Sequence, residues 1–271
     1  MQANPKSQLF EFGFASDVGR KRRGEVNQDA LAIILPGLRE ARHCPLLLVA
    51  DGLGGHRGGS TASQLVIHAF EQEYKKAAHP TNYPELLSKC VHAAHAMIRS
   101  YGETDATLSE MGSTVVAVIL ETPAVHVLNV GDSRAYILRG NELLQISQDQ
   151  SWVSAQVRAG ILTPQEALHH PRRNRLEMAI TAHRKEIKPY QFTTVMEQED
   201  ILLLCSDGLW GVVPDSLIWA AASELTPQAA ADKLIAMANQ SNSPDNVSVI
   251  VARRADSMRM HIDSNVEDID P

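Results

Sequence analysis

The sequence predicts an α+β fold in which antiparallel sheets are covered by layers of helices. Three observations lead there. Short apolar runs come in blocks joined by connections of a few residues, too short for the crossover that a parallel pair needs. Segments of helical period stand together after the first block and again near the C-terminal end. Strands and helices do not alternate regularly, as a doubly wound sheet would require.

The elements follow in chain order. Phe10 to Ala15 and Ala30 to Leu35 are short apolar or alternating runs, read as strands. Pro45 to Ala50 carries LLLVA and ends at Asp51, from which the chain enters a Gly-rich turn around His56. Ser60 to Tyr74 has a helical face with Leu65, Ala69 and Gln72 on one line and Val66, Phe70 and Tyr74 on the next. Tyr83 to Ser100 repeats the pattern with Leu86, Cys90, Ala94 and Met97, and Pro84 stands in its first turn.

A β-rich stretch comes next: Ser113 to Glu121, Ala124 to Val130, Arg134 to Arg139 and Glu142 to Ile146. A Thr-Pro turn, Gly131-Asp132-Ser133 and Gly140-Asn141 connect them, so neighbours are antiparallel. Ser151 to Gly160 reads as a helix, and Thr163-Pro164-Gln165-Glu166 opens another with a capping-box pattern. The basic segment HHPRRNR covers His169 to Arg175. Tyr190 to Met196 and Asp200 to Cys205 are further strands. Thr226-Pro227 begins a helix with Ala230, Leu234 and Ala238 inward, and Val247 to Ala252 is the last strand. One domain over residues 1–255 is expected, and the polar, acidic residues 256–271 read as a loose tail.

Composition narrows the function. Of 271 residues, 44% are hydrophobic and 21% charged, enough apolar material for a sizeable core. With a formal charge of -7 the chain lacks the basic surface of a general nucleic-acid binder. Cys44, Cys90 and Cys205 share no metal-ligand spacing, and an odd, scattered count suits a reducing compartment. There is neither a secretory leader pattern nor an apolar run of the roughly 20 residues a spanning helix needs. A cytoplasmic location, with no membrane partner, is the expectation.

The aspartates carry the chemistry. Asp29 precedes ALAIIL, Asp51 follows LLLVA, Asp132 follows VHVLNV and a glycine, Asp207 follows ILLLCS, and Asp245 precedes the strand VSVIVA. Carboxylates at strand ends can converge on one edge of a sandwich, and their oxygens are the hard ligands that Mg²⁺ and Mn²⁺ prefer. Asp-Gly and Gly-Asp are equally ordinary turn signatures, and pattern alone does not decide convergence.

Longer motifs weigh in. SDVG at 16–19 with NQD at 27–29, VADGLGGHRGG at 49–59, MGST at 111–114, NVGDSRAYILR at 129–139, ISQDQSWV at 146–153, GILTPQEALHHPRRNRL at 160–176, LLLCSDGLWG at 202–211 and SPDNVSVIVA at 243–252 stand in this order. Together they resemble the PP2C-like (PPM) family of metal-dependent serine/threonine protein phosphatases, in particular its bacterial branch, over nearly the whole chain. The resemblance implies a central antiparallel β-sandwich flanked by helices in α-β-β-α layers. It implies two Mn²⁺ or Mg²⁺ ions, with a third bound more weakly. Asp51 then bridges the pair with the Gly52 carbonyl beside it, Asp207 and Asp245 bind the first ion, and Asp29 acts on the other side through water. Asp132 and Asp207 take the third ion.

Two nearby ions lower the pKa of a bridging water and hold phosphoryl oxygens for in-line attack, and no Cys-x5-Arg nucleophile loop is present. The resemblance also places an arginine fork for the phosphoryl group just after SDVG: Arg22 by counting from Gly19, with Arg23 its competitor because the segment before NQD is two residues longer than usual. Arg22, Asp51 and Asp207 are thus the expected catalytic residues. Gln28 stands where many relatives have Glu, although bacterial members use either; Leu53 replaces the histidine of animal members, and Gln150 the usual bacterial histidine. The stretch from Ser151 to Arg175 resembles the family's flap, where Arg172, Arg173 and Arg175 bind an acidic phosphopeptide or form a solvated basic connection. Partners implied are phosphorylated proteins and a cognate Ser/Thr kinase, with a monomer as the default. A phosphatase of a partner-switching system, or a non-catalytic relative that binds phosphoproteins, are the alternatives. The complete aspartate set argues against the last.

Overall fold

A computed structural model describes residues 9–36, 44–77 and 82–255; the expected tail at 256–271 and the side chain of His56 lie outside the described residues. Two five-stranded antiparallel sheets form the centre. The first has the order β1 (Phe10–Asp17), β13 (Val247–Arg254), β12 (Ile201–Cys205), β8 (Arg134–Arg139), β9 (Glu142–Gln145). The second runs β11 (Tyr190–Val195), β7 (Ala124–Val130), β6 (Val115–Glu121), β3 (Leu46–Ala50), β2 (Ala30–Ile34). A small third sheet joins β10 (Ile180–Thr181), β5 (Gly112–Ser113) and β4 (Gly52–Leu53).

Strand side chains alternate between faces, and here both faces are covered. Leu47 and Val49 of β3, Val116 and Val118 of β6, Leu202 and Leu204 of β12 and Ile250 of β13 fill the space between the sheets. The intervening Leu46, Leu48, Val115, Ala117 and Ile119 pack outward against α1 (Gly55–Lys76) and α2 (Tyr83–Thr104). Ile201, Leu203, Val247, Val249 and Val251 pack outward against α6 (Asp215–Glu224) and α7 (Pro227–Gln240). Burial on both faces is why these strands read as unbroken apolar runs, and it produces the α-β-β-α layers. Truncating a side chain as enclosed as Leu203 costs ~2–5 kcal/mol, transfer and cavity together.

Several boundaries differ from expectation. The Gly-rich turn is shorter than predicted, since α1 already begins at Gly55. Gln72 leaves the core line and is exposed, bonded to His68. The expected strand from Ser113 breaks at Thr114, whose N–H turns to the Asp51 carbonyl, so β5 and β6 belong to different sheets. The short helix α5 (Asp207–Trp210) and α6 were not anticipated. Thr163 and Glu166 form the capping box of α4 (Pro164–His169), which follows α3 (Trp152–Arg158). Among the described residues no helix is long and apolar enough to cross a membrane.

Candidate metal centre

Strand register collects the aspartates at one rim. Ala30 lies opposite Ala50, which sets Asp29 beside Asp51. Val115 faces Val130, Cys205 faces both Arg134 and Val249, and Asp17 faces Val247. The end of β3, β7 and β12 and the start of β2, β8 and β13 therefore share that rim. Asp29 and Asp51 come from the second sheet and Asp207 and Asp245 from the first. Asp132 stands on the connection from β7 to β8, which passes between the sheets.

Asp29, Asp51 and Asp132 are buried. Burial pushes the Asp51 carboxyl well above its usual range, and the charges of Asp29, Asp207, Asp245 and Asp132 push it further. Asp207 is raised in the same way, by burial first and then by Asp132, Asp245 and Asp29. Burial lifts Asp29 from 3.8 to about 6 although the hydroxyls of Ser206 and Ser248 hold it down. Asp132 is lifted from 3.8 to about 7 by burial and by the Asp149 charge, against the pull of Arg134. Buried oxygens Asp29 Oδ1 and Asp207 Oδ1 accept no hydrogen bond. An unpaired buried carboxylate oxygen is costly, and a hard divalent cation satisfies it. The donor set, all oxygen, fits Mn²⁺ or Mg²⁺. Among the described residues no three acidic, imidazole or thiol groups close into a cage by themselves. Such ions keep several waters in their shell and do not need one.

A second layer fixes these carboxylates, and sequence reasoning quoted its motifs without assigning roles. The Ser206 hydroxyl donates to Asp29 Oδ2 (2.7 Å) and accepts from the Ser248 N–H. Asn246 accepts from the Gln28 N–H and donates to the Val18 carbonyl, so the NQD and PDN segments clasp each other. Thr114 Oγ1 accepts from the Asp51 N–H and bonds Ser133. Gly52 packs its Cα against the main chain of Gly59 and Gln28, leaving no room for a Cβ, and pairs with Ser113 one residue after Asp51. Arg134 binds Asp149 through two nitrogens and lies 3.6 Å over the Trp210 ring, whose Nε1 donates to the Asp132 carbonyl.

Arg22 is half-buried in a 3-10 turn, donating from Nε to the Pro244 carbonyl and pairing with Asp245 at 3.1 Å. Arg23 is exposed. Leu53 lies half-buried in β4. In the segment resembling the flap, the Trp152 ring is 4.9 Å from that of His170, and Arg172 lies 5.0 Å over it. Arg173 and Arg175 are exposed. A cavity of about 350 Å³, lined by Glu11, Glu199, Trp219 and Arg253, is at the opposite rim, away from every carboxylate of this group.

A layered α-β-β-α sandwich with a carboxylate rim suited to divalent cations is the architecture of a metal-dependent phosphatase. The chain belongs to the Protein phosphatase 2C family, whose model matches residues 18–248. It is similar to the serine/threonine phosphatase stp of Listeria monocytogenes, with 34% identity over 78% of this chain and 84% of that one. The crystal structure of the catalytic domain of the serine/threonine protein phosphatase PstP in complex with two manganese ions superimposes with a TM-score of 0.79 and 33% identity, covering 91% of this chain and 99% of that one. For Staphylococcus aureus Stp1 the TM-score is 0.83 with 30% identity, over 92% and 96%. The protein is accordingly a metal-dependent serine/threonine protein phosphatase acting on phosphoproteins.

Proposed function

We propose that the enzyme hydrolyses phosphoserine and phosphothreonine at a binuclear Mn²⁺ or Mg²⁺ centre with a third, weaker ion. Asp51 and the Gly52 carbonyl would hold the pair, Asp207 and Asp245 would hold the first ion, Asp29 would support the second, and Asp132 with Asp207 would hold the third. The observation that carries this reading is the group of carboxylates raised by burial and then by one another's charge, with two buried oxygens lacking a hydrogen-bond partner. The two manganese ions of PstP agree with it. Ions bound there supply an acidified water and neutralise the phosphoryl charge.

The chain's own residues do the rest. Arg22, anchored by Asp245, presents a planar fork to the outward phosphoryl oxygens. Ser206 and Thr114 fix the orientation of the Asp29 side chain and the Asp51 backbone. A thiol nucleophile is excluded: Cys44, Cys90 and Cys205 are all buried, and burial pushes the Cys90 thiol up to about 12. Three buried cysteines outside any disulfide also agree with a cytoplasmic enzyme, and a monomer working opposite a Ser/Thr kinase completes the proposal. The test is hydrolysis of a phosphothreonine peptide with and without Mn²⁺ by wild type and Asp207→Ala, with Mn²⁺ stoichiometry by calorimetry. Loss of turnover and of one or more ions in the variant is expected. Full Mn²⁺-dependent activity without Asp207 overturns the assignment.

A further inference from the structure

We infer that Gln150 is a positioning residue that locks the base of the segment Ser151–Arg175 to the turn carrying Asp132. This rests on the proposed role of Asp132 at one end only; the other end is read from geometry alone.

Gln150 holds both main-chain groups of Gly131, the residue before Asp132. Its N–H donates to the Gly131 carbonyl (2.9 Å), and its Oε1 accepts from the Gly131 N–H (3.0 Å). The turn has no slack of its own. Gly131 has φ +101, and its Cα packs against Thr114 so closely that a Cβ would clash. On the other side, the Gln150 carbonyl accepts from the N–H groups of Glu177 (2.8 Å) and Met178 (3.2 Å), where the segment returns to the body. Ser151 bridges Leu176, and the Trp152 N–H donates to the Arg175 carbonyl (2.8 Å), extending the same short ladder. Finally, Gln150 Nε2 donates to the Lys188 carbonyl (2.8 Å), on the approach to β11.

One half-buried side chain and its peptide groups thus join four pieces of chain: the Asp132 turn, both ends of the basic segment and the lead into an edge strand. The side chain has to offer one acceptor and one donor at once, the acceptor to Gly131 and the donor to Lys188. A neutral imidazole offers the same pair, whereas a methionine has no donor and only a weak sulfur acceptor. Motion at the base of the segment is transmitted to the Gly131 peptide, hence to the carboxylate that follows it.

The test compares wild type, Gln150→Met, Gln150→Ala and Gln150→His in the Mn²⁺-loaded protein. Three quantities are read: the KM for a phosphothreonine peptide, the Mn²⁺ concentration for half-maximal activity, and the rate of trypsin cleavage after Arg172, Arg173 and Arg175. Gln150→Met keeps the volume and is expected to raise peptide KM and the Mn²⁺ requirement by about three- to thirtyfold, the effect of losing two hydrogen bonds. Cleavage in the segment should accelerate by a similar factor, and Gln150→His should restore all three. Gln150→Ala should follow Gln150→Met; if it fails to fold, Gln150→Met decides. Unchanged trypsin cleavage and peptide KM in Gln150→Met, or a failure of Gln150→His to recover them, overturns the inference. Asp132→Ala runs in parallel. If it leaves the Mn²⁺ requirement unchanged, the third-ion reading falls, and the role of Gln150 is then judged on trypsin and peptide KM alone.

Discussion

Stripping the divalent ions makes the fold pH-sensitive in a direction opposite to ordinary acid denaturation. Asp29 and Asp132 have folded-state pKa values raised from 3.8 to about 6 and about 7. A carboxylate raised on folding favours the folded state fully below its unfolded pKa, and that contribution is lost as pH rises through the folded value. Between pH 5 and pH 8 the two groups together remove about 4 kcal/mol, taking 1.36 kcal/mol per pKa unit. Asp51 and Asp207 are raised too and act in the same direction. His95, lowered by burial, opposes them, since its contribution is lost as pH falls. The loss is a large part of a typical total stability of ~5–15 kcal/mol. Urea unfolding in excess chelator should therefore show a midpoint more than about 1 M lower at pH 8 than at pH 5, for a slope near 3 kcal/mol/M. Adding Mn²⁺ should raise the midpoint far more at pH 8 than at pH 5, because the ligands must be deprotonated to bind. A chelated midpoint that is flat or rising from pH 5 to 8 would refute the claim that these carboxylates are buried against one another.

Other expectations are more local. Arg22→Ala should lower kcat/KM on a phosphopeptide by about tenfold to a thousandfold, the span for losing a charge-assisted phosphate contact; Arg23→Ala, at an exposed position, should change it little. Equal effects in steady-state kinetics would reverse that assignment. Asp149→Ala strands the Arg134 guanidinium against Trp210 and should destabilise the fold by ~3–5 kcal/mol, measurable by urea unfolding. Asp132→Ala should reduce activity at limiting Mn²⁺ while leaving the unfolding midpoint of the metal-free protein equal or higher, since it deletes a buried carboxyl.

The central strands were legible because both of their faces are buried, which turns the usual alternation into runs such as LLLVA and ILLLC. The start of α1 was not, because Gly54, Gly55, Gly58 and Gly59 argue for a turn on intrinsic preference. Close packing of Gly58 on Met111 and Gly59 on Gln28 overrides that preference. Helix α6 escaped notice since only Ile218, Ala221 and Ala222 of its ten residues are buried, too weak a period to detect. The positions of the aspartates were readable, but their convergence depends on register between strands far apart in sequence, as between β1 and β13 or β3 and β6. The proposed preference for Arg22 over Arg23 rests on the Asp245 ion pair, a contact across 223 positions that no local pattern encodes.

The rim that collects the carboxylates takes two from each sheet and the fifth from the connection between them. No half of the sandwich owns the site. Divalent ions held there, as proposed, would act as rivets across the seam between two separately hydrogen-bonded layers, and their departure would unfasten one end while the apolar filling holds the other. Amide exchange should report this as a gradient along each strand, with protection lost first at Ala30, Ala50, Cys205 and Val247 when the ions are removed, and last at the far ends of the same strands.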